Sequence, residues 1–170
     1  DFARQLVSER LAHSAKTGSN ETFVMMMMDV DNFKYYNDNF GHLHGDAVLK
    51  HLAESLRRAV RDQDVVARVG GDEFLVCMTC TVDPQPLVER VYGSVSRDMA
   101  SMDVTVSMGV ACVPGGEVGY NQLFSLADQS LYEMKRAGRN YYVMRIFDEE
   151  ELADLQTVGE EAGLTVSSID

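Results

Sequence analysis

The chain of 170 residues has no tryptophan, only three prolines and three cysteines, and no apolar run long enough to cross a bilayer. Crossing takes roughly 18–20 apolar residues, whereas the longest candidate, Phe23 to Met28, runs straight into acidic residues. A secretory leader, basic and then apolar, is also missing, since the chain opens Asp1-Phe2-Ala3-Arg4. These absences predict a domain that works in the cytoplasm, with any membrane anchor lying upstream. Three cysteines make neither a disulfide framework nor a zinc cage. The one close pair, Cys77 and Cys80, falls on a predicted strand, where positions three apart point to opposite faces. Small buried residues in a reducing compartment are expected.

Basic residues are scarce as well. Fifteen Lys and Arg face 27 Asp and Glu, a net charge of −12, the opposite of a nucleic-acid binder's basic surface. Much of that charge is local: Asp148 to Asp170 holds eight acidic residues and no Lys or Arg, leaving 19 acids against 15 bases elsewhere. A main domain over 1–147 is therefore expected, followed by an acidic extension over 148–170 that is helical or flexible.

What the chain does have is apolar material, 45% of its residues, enough for one good core. Leu6, Val7, Leu11 and Ala15 recur at helical spacing and predict a helix over 4–16. Phe23 to Met28, with four consecutive methionines, reads as a strand buried on both faces. A short helix is expected at 31–37. A longer one follows over 45–61, with Val48, Leu49, Leu52, Leu56 and Val60 on one face. Val65–Val69 and Phe74–Met78, separated by Gly70-Gly71, predict a hairpin whose tight primed turn uses positive φ at glycine. A helix over 85–99, a strand over 104–113, a helix over 121–137 stopped by Gly138 and a strand over 141–146 complete the pattern. The fold class is α+β, helices covering a mainly antiparallel sheet.

Two acidic clusters sit at strand ends: Asp29-Val30-Asp31 after the buried strand, and Asp72-Glu73 after the glycines. Either alone reads as solvated strand-end residues. Carboxylates at a core edge are costly unless a cation compensates, and if the hairpin lies beside the first strand the two clusters converge. Hard oxygen ligands gathered in this way suit Mg²⁺ or Mn²⁺, with substrate phosphates completing the shell.

Arg68-Val69-Gly70-Gly71-Asp72-Glu73-Phe74 resembles the signature of the GGDEF diguanylate cyclases, and Asp29-Val30-Asp31-Asn32-Phe33-Lys34 resembles the family's aspartate-rich stretch. Asn37-Asp38, Gly41-His42, Gly45-Asp46, Val104 to Gly109, and Ala127-Asp128 through Gly138-Arg139-Asn140 continue the likeness, which spans about 4–147. The resemblance implies the nucleotide cyclase/polymerase palm fold and condensation of two GTP into cyclic di-GMP across a homodimer, with two Mg²⁺ or Mn²⁺ ions per site. It implies metal binding by Asp29, the Val30 carbonyl, Asp72 and Glu73, and catalytic roles for Glu73 and Lys34. Asn37 and Asp46 are implied to read guanine, with His42 in the same lining segment. The amides of Asn32 and Phe33, with Lys34, Lys135 and Arg139, are implied to cradle the triphosphate. Arg61-Asp62-Gln63-Asp64 resembles the family's inhibitory site for its product, with Arg90 in support. The family's opening motifs are not found after Asp1; the expectation is a chain that starts just inside the domain, below an upstream sensor or receiver. A domain that keeps the fold but only binds GTP or cyclic di-GMP as a regulator is the alternative expectation.

Overall fold

The structure is a computed structural model that describes residues 1–161, with side chains described through Gln156. Among the described residues, five strands and six helices follow in the order α1 (Phe2–Thr17), β1 (Thr22–Val30), α2 (Phe33–Phe40), α3 (His42–Ala59), β2 (Val65–Arg68), β3 (Glu73–Cys80), α4 (Gln85–Ala100), β4 (Val106–Pro114), α5 (Tyr120–Ala137), β5 (Tyr142–Ile146) and α6 (Glu149–Glu161). The strands form one sheet in the order β2-β3-β1-β4-β5. All pairings are antiparallel except β4 with β5, as the mainly antiparallel expectation requires.

The methionine run is the central strand. Met25 and Met27 enter the core on the side of α1 and α5, whereas Met26 and Met28 enter the core under α3 and α4. The side-chain period of two splits four identical residues between two cores. Cys77 and Cys80 likewise point to opposite faces, and burial pushes the Cys77 thiol up to about 12.

Three local readings are corrected. Neither Gly70 nor Gly71 has positive φ, so the β2–β3 connection is not a two-residue primed turn. Ladder pairing stops at Arg68 and Phe74, Val69 N–H reaches the Glu73 carbonyl at 3.0 Å, and the intervening loop is tied by Arg68. The helix expected at 31–37 starts at Phe33, because the Asp31 amide is spent on the Thr105 carbonyl at 2.9 Å and Asn32 is left-handed at φ 57. On α1, the buried face holds Ala3, Val7, Leu11 and Ser14, while Ala15 is exposed. Within the acidic extension, α6 returns to the domain: Leu152 is buried in the α1–α5 core, and Asp148 caps the helix through Glu151 N–H at 2.8 Å. Residues 162–170 of that extension lie outside the described residues.

One close approach sets the position of α5. A β-carbon on Gly109, in the middle of β4, would collide with the backbone of Leu131 and lie 2.6 Å from the Ala127 carbonyl. Only a residue without a side chain lets the helix rest there. Gly109→Ala is therefore expected to destabilise the domain by roughly 1–3 kcal/mol, the usual cost of overpacking. Gly71→Ala, which faces open space, should be nearly neutral in the same urea titration.

Candidate active site

β1 and β3 are in register at their ends, with Asp29 opposite Glu73. This places both acidic clusters at one end of the sheet, as the converging-carboxylate expectation requires. Across them comes Lys135 from the last turn of α5, whose ammonium forms an ion pair with Asp29 Oδ2. Asp29 is 4% exposed, and its other oxygen, Oδ1, is buried without a hydrogen-bond partner. Burial pushes its carboxyl up to about 6; Lys135 opposes the rise, and the Asp72 and Asp31 charges add to it. Burial also raises the Glu73 carboxyl against the pull of Lys135, with Asp128 and Asp72 contributing further. Burial pulls the Lys135 ammonium down, but the Asp29 hydrogen bond and the charges of Asp29, Glu73 and Asp72 more than reverse this. Perturbed groups gathered at one end of the sheet mark a candidate functional site.

Among the described residues, no three His, Cys, Asp or Glu side chains converge tightly enough to cage a metal by themselves. The donor set still fits a hard divalent cation that borrows ligands from substrate. Mg²⁺ is commonly held by one or two carboxylates plus phosphates and water, and Asp29 Oδ1 is a buried anionic oxygen with an open valence. Asp72 and Glu73, both half-buried, stand beside it.

The loop carrying Asp72 is held by a residue the sequence reading did not place. Arg68 Nε donates to the carbonyls of Gly70 at 3.2 Å and Gly71 at 3.0 Å, and its Nη2 donates to Gly71 at 2.5 Å. Asp128 was also missed. It is exposed on α5, and only the fold brings its charge to Glu73.

The hairpin of α2 and α3 follows directly on the end of β1. The Asn37 side chain packs directly over Gly45, where a β-carbon would overlap it, and its buried Oδ1 has no partner. Asp46 is exposed one residue further on and lines a groove of about 540 Å³ with Leu49, Lys50, Arg57, Arg68 and Phe74. His42 is exposed at the first turn of α3. Asn32, Phe33 and Lys34 form the start of α2, where backbone N–H groups lack helical partners. Arg139 follows α5 in a left-handed turn, φ 68, four residues after Lys135. Among the described residues, no hydrogen bond joins the side chains of Lys34, His42 or Arg139 to the carboxylates.

The second expected site is separate. Arg61 makes two guanidinium bonds to Asp64, at 3.1 and 3.0 Å, and a third to the Thr79 carbonyl at 2.8 Å. Its side chain stays 45% exposed while that of Asp64 is 2% exposed. Arg90, on α4, donates to the Ala59 carbonyl at 3.0 Å, at the end of α3 and two residues before Arg61.

A buried carboxylate with an orphaned oxygen is a cost to the metal-free fold. Asp29→Asn is therefore expected to raise stability in EDTA by about 1 kcal/mol or more, measured by urea unfolding. A variant less stable than the parent would show that the Lys135 pair outweighs the burial cost.

Residues 2–141 match the family described as "Diguanylate cyclase, GGDEF domain". Over 153 residues the chain is 33% identical to a probable diguanylate cyclase, DgcT, of Escherichia coli K12, covering 85% of this chain and 34% of that protein. It is 36% identical over 146 residues to the diguanylate cyclase DgcP of Pseudomonas aeruginosa, covering 81% and 22%. The chain thus spans about a third or less of the length of these relatives. Among solved structures, the active GGEEF domain of a Vibrio cholerae diguanylate cyclase superposes with a TM-score of 0.73 at 25% identity, covering 86% and 94% of the two chains. The GGDEF domain of DgcB from Caulobacter crescentus, in complex with cyclic di-GMP, gives 0.69 at 27% identity, covering 86% and 87%. On the strength of a match that runs through every element from α1 to the end of α5, the chain belongs to the GGDEF-domain family of diguanylate cyclases.

Proposed function

We propose that this chain is a catalytic domain that condenses two GTP molecules into cyclic di-GMP and two pyrophosphates, as a homodimer with two Mg²⁺ or Mn²⁺ ions per site. One observation carries the reading: two buried oxygens have no partner, Asp29 Oδ1 beside Lys135, Asp72 and Glu73, and Asn37 Oδ1 over Gly45 in the α2–α3 hairpin. An orphaned buried acceptor is expensive in a structure that does not use it. Among the described residues only one further side-chain atom, on Ser14, shares that state.

In this reading Asp29, the Val30 carbonyl, Asp72 and Glu73 hold the cations, which would activate the 3′-hydroxyl and neutralise the leaving pyrophosphate. Asn37 Oδ1 and the Asp46 carboxylate accept from the guanine N1–H and amino group, with His42 lining the same pocket. The start of α2 at Asn32 and Phe33, with Lys34, Lys135 and Arg139, receives the triphosphate. Glu73 would either help to hold the second cation or accept the proton of the attacking hydroxyl. One site serves one nucleotide, whereas the product has two phosphodiester links. Each hydroxyl therefore attacks a GTP carried by a second copy in a two-fold arrangement. Arg61 and Asp64, supported by Arg90, bind the product as an inhibitor, and a sensor or receiver domain elsewhere in the longer protein brings copies together. Among the described residues no helix is long and apolar enough to cross a membrane, in keeping with a domain that draws on cytoplasmic GTP.

Incubated with GTP and Mg²⁺, the chain is expected to form cyclic di-GMP and pyrophosphate, identified by mass spectrometry. ATP should be turned over slower by a factor on the order of 10⁴, because adenine leaves the polar groups of Asn37 and Asp46 unpaired. Asp72→Ala should lower the rate by roughly 100-fold or more with an unchanged circular dichroism spectrum. Equal turnover of the two nucleotides, or a fully active Asp72→Ala, would refute the respective assignment.

Arg61→Ala should weaken cyclic di-GMP binding by at least about tenfold, the loss of one charge-assisted contact, and leave the initial rate at low product unchanged. Calorimetry showing unaltered product affinity would move the inhibitory site elsewhere.

A further inference from the structure

Asp31 lies between the residues assigned to the cation and those assigned to the phosphates, yet its carboxylate is engaged elsewhere. It is 2% exposed. Its Oδ1 accepts from Ser107 Oγ at 2.6 Å, and its Oδ2 accepts from Thr105 Oγ1 at 2.7 Å and from the Asn140 backbone N–H at 3.1 Å. The Asn140 N–H is shared with Ser107 Oγ at 3.2 Å. Two hydroxyls and one amide hold the buried carboxyl group, and among the described residues no cationic side chain bonds to it. This carboxylate has few lone pairs left to offer a metal, in contrast to Asp29 with its open Oδ1.

The amide that Asp31 holds belongs to a strained turn. Arg139 and Asn140 are consecutive non-glycine residues at φ 68 and 59, a left-handed conformation that is uncommon without glycine, least so for Asn, and that persists where its surroundings impose it. The Arg139 N–H closes α5 onto the Met134 carbonyl at 3.0 Å, and the Asn140 N–H is held by Asp31. On its own side, the Asp31 amide is tied to Thr105 and the next residue, Asn32, turns left-handed to open α2. A single side chain thus joins the 29–34 corner to the 135–140 corner across β4.

We propose that Asp31 is a positioning residue and not a metal ligand: by holding the Asn140 amide it fixes the Arg139 turn against the start of α2, so that both halves of the triphosphate cradle keep one geometry. This rests on the nucleotide reading above. The hydrogen-bond set makes a sharp demand on substitutions. Asn can satisfy it, with its carbonyl toward Asn140 and Thr105 and its NH₂ toward Ser107, whose hydroxyl can turn to accept. Ala leaves the Thr105 and Ser107 hydroxyls without this acceptor and the Asn140 N–H with only its longer bond to Ser107 Oγ, which loosens the turn.

The test uses two probes by calorimetry: Mn²⁺ alone, and 3′-deoxy-GTP with Mg²⁺, which lacks the attacking hydroxyl. Asp31→Ala should weaken 3′-deoxy-GTP by roughly 10–100-fold, the range for loss of a supporting partner, while leaving Mn²⁺ affinity unchanged. Asp31→Asn should keep both affinities and the parent's KM for GTP within about threefold, since its hydrogen bonds are preserved. Should the Ala variant fail to fold, Asp31→Asn decides alone: retained Mn²⁺ binding supports the positioning role, and a loss of tenfold or more, about 1.4 kcal/mol, overturns it in favour of direct ligation. A parent that binds 3′-deoxy-GTP while a folded Asp31→Ala binds it equally well overturns the positioning role only. A parent that binds no 3′-deoxy-GTP overturns the nucleotide reading and this proposal with it.

Discussion

The ion pair between Lys135 and Asp29 is the contact on which the site depends. A carboxylate at the end of a strand buried on both faces loses several kcal/mol of hydration, and a partner must be close to make that tolerable. Lys135 is close only because α5 lies directly on β4, and α5 lies there only because residue 109 has no side chain. The chain of causes runs from one missing β-carbon, through helix–sheet distance, to the charge state of a buried acid. The pair does little for stability by itself. Its consequence is an anionic oxygen, Asp29 Oδ1, kept inside the protein and unspent.

Around that pair the molecule divides its polar groups in two ways. Asp31, Thr105, Ser107 and the Asn140 amide satisfy one another and make a rigid joint. Asn37 and Asp29 each keep a buried oxygen free. Neighbouring acids in one motif thus differ in hydrogen bonding, and the difference is set by which donors surround them. The Arg68 guanidinium does for the Gly70–Gly71 loop what Asp31 does for the Arg139 turn: it spends a charged group on backbone, so that the next side chains are aimed by a stiff support.

The likeness to diguanylate cyclase domains and the geometry agree because the motifs sit on structure, not on free loops. The β1 end, the β2–β3 loop and the α5 end come from distant parts of the chain, and antiparallel register brings Asp29 to Glu73 without a single adjustable residue. Arg61 shows the same economy on the far side of the domain, where Asp64 and the Thr79 carbonyl hold the guanidinium while leaving nearly half of it in solvent.

The amino-acid sequence alone determined the kind and order of nearly every element, because its apolar periodicity changes cleanly between 2 and 3.6 and glycines mark the breaks. It also determined that acids gather at strand ends, since carboxylates cannot be placed within apolar runs without interrupting them. Local turn geometry was not legible. The Gly70-Gly71 pair looks like a primed turn, but Arg68 pins that loop in another shape, and the start of α2 is displaced because Thr105 takes the Asp31 amide. The exchange of Ser14 for Ala15 on the buried face of α1 is equally invisible without Gly115, against which Ser14 packs. Tertiary structure alone decided which acid is left open and which is locked, because that depends on donors 74 to 109 residues away in the chain. Period and composition are properties of neighbours in sequence; the charge and freedom of a carboxylate are properties of neighbours in space.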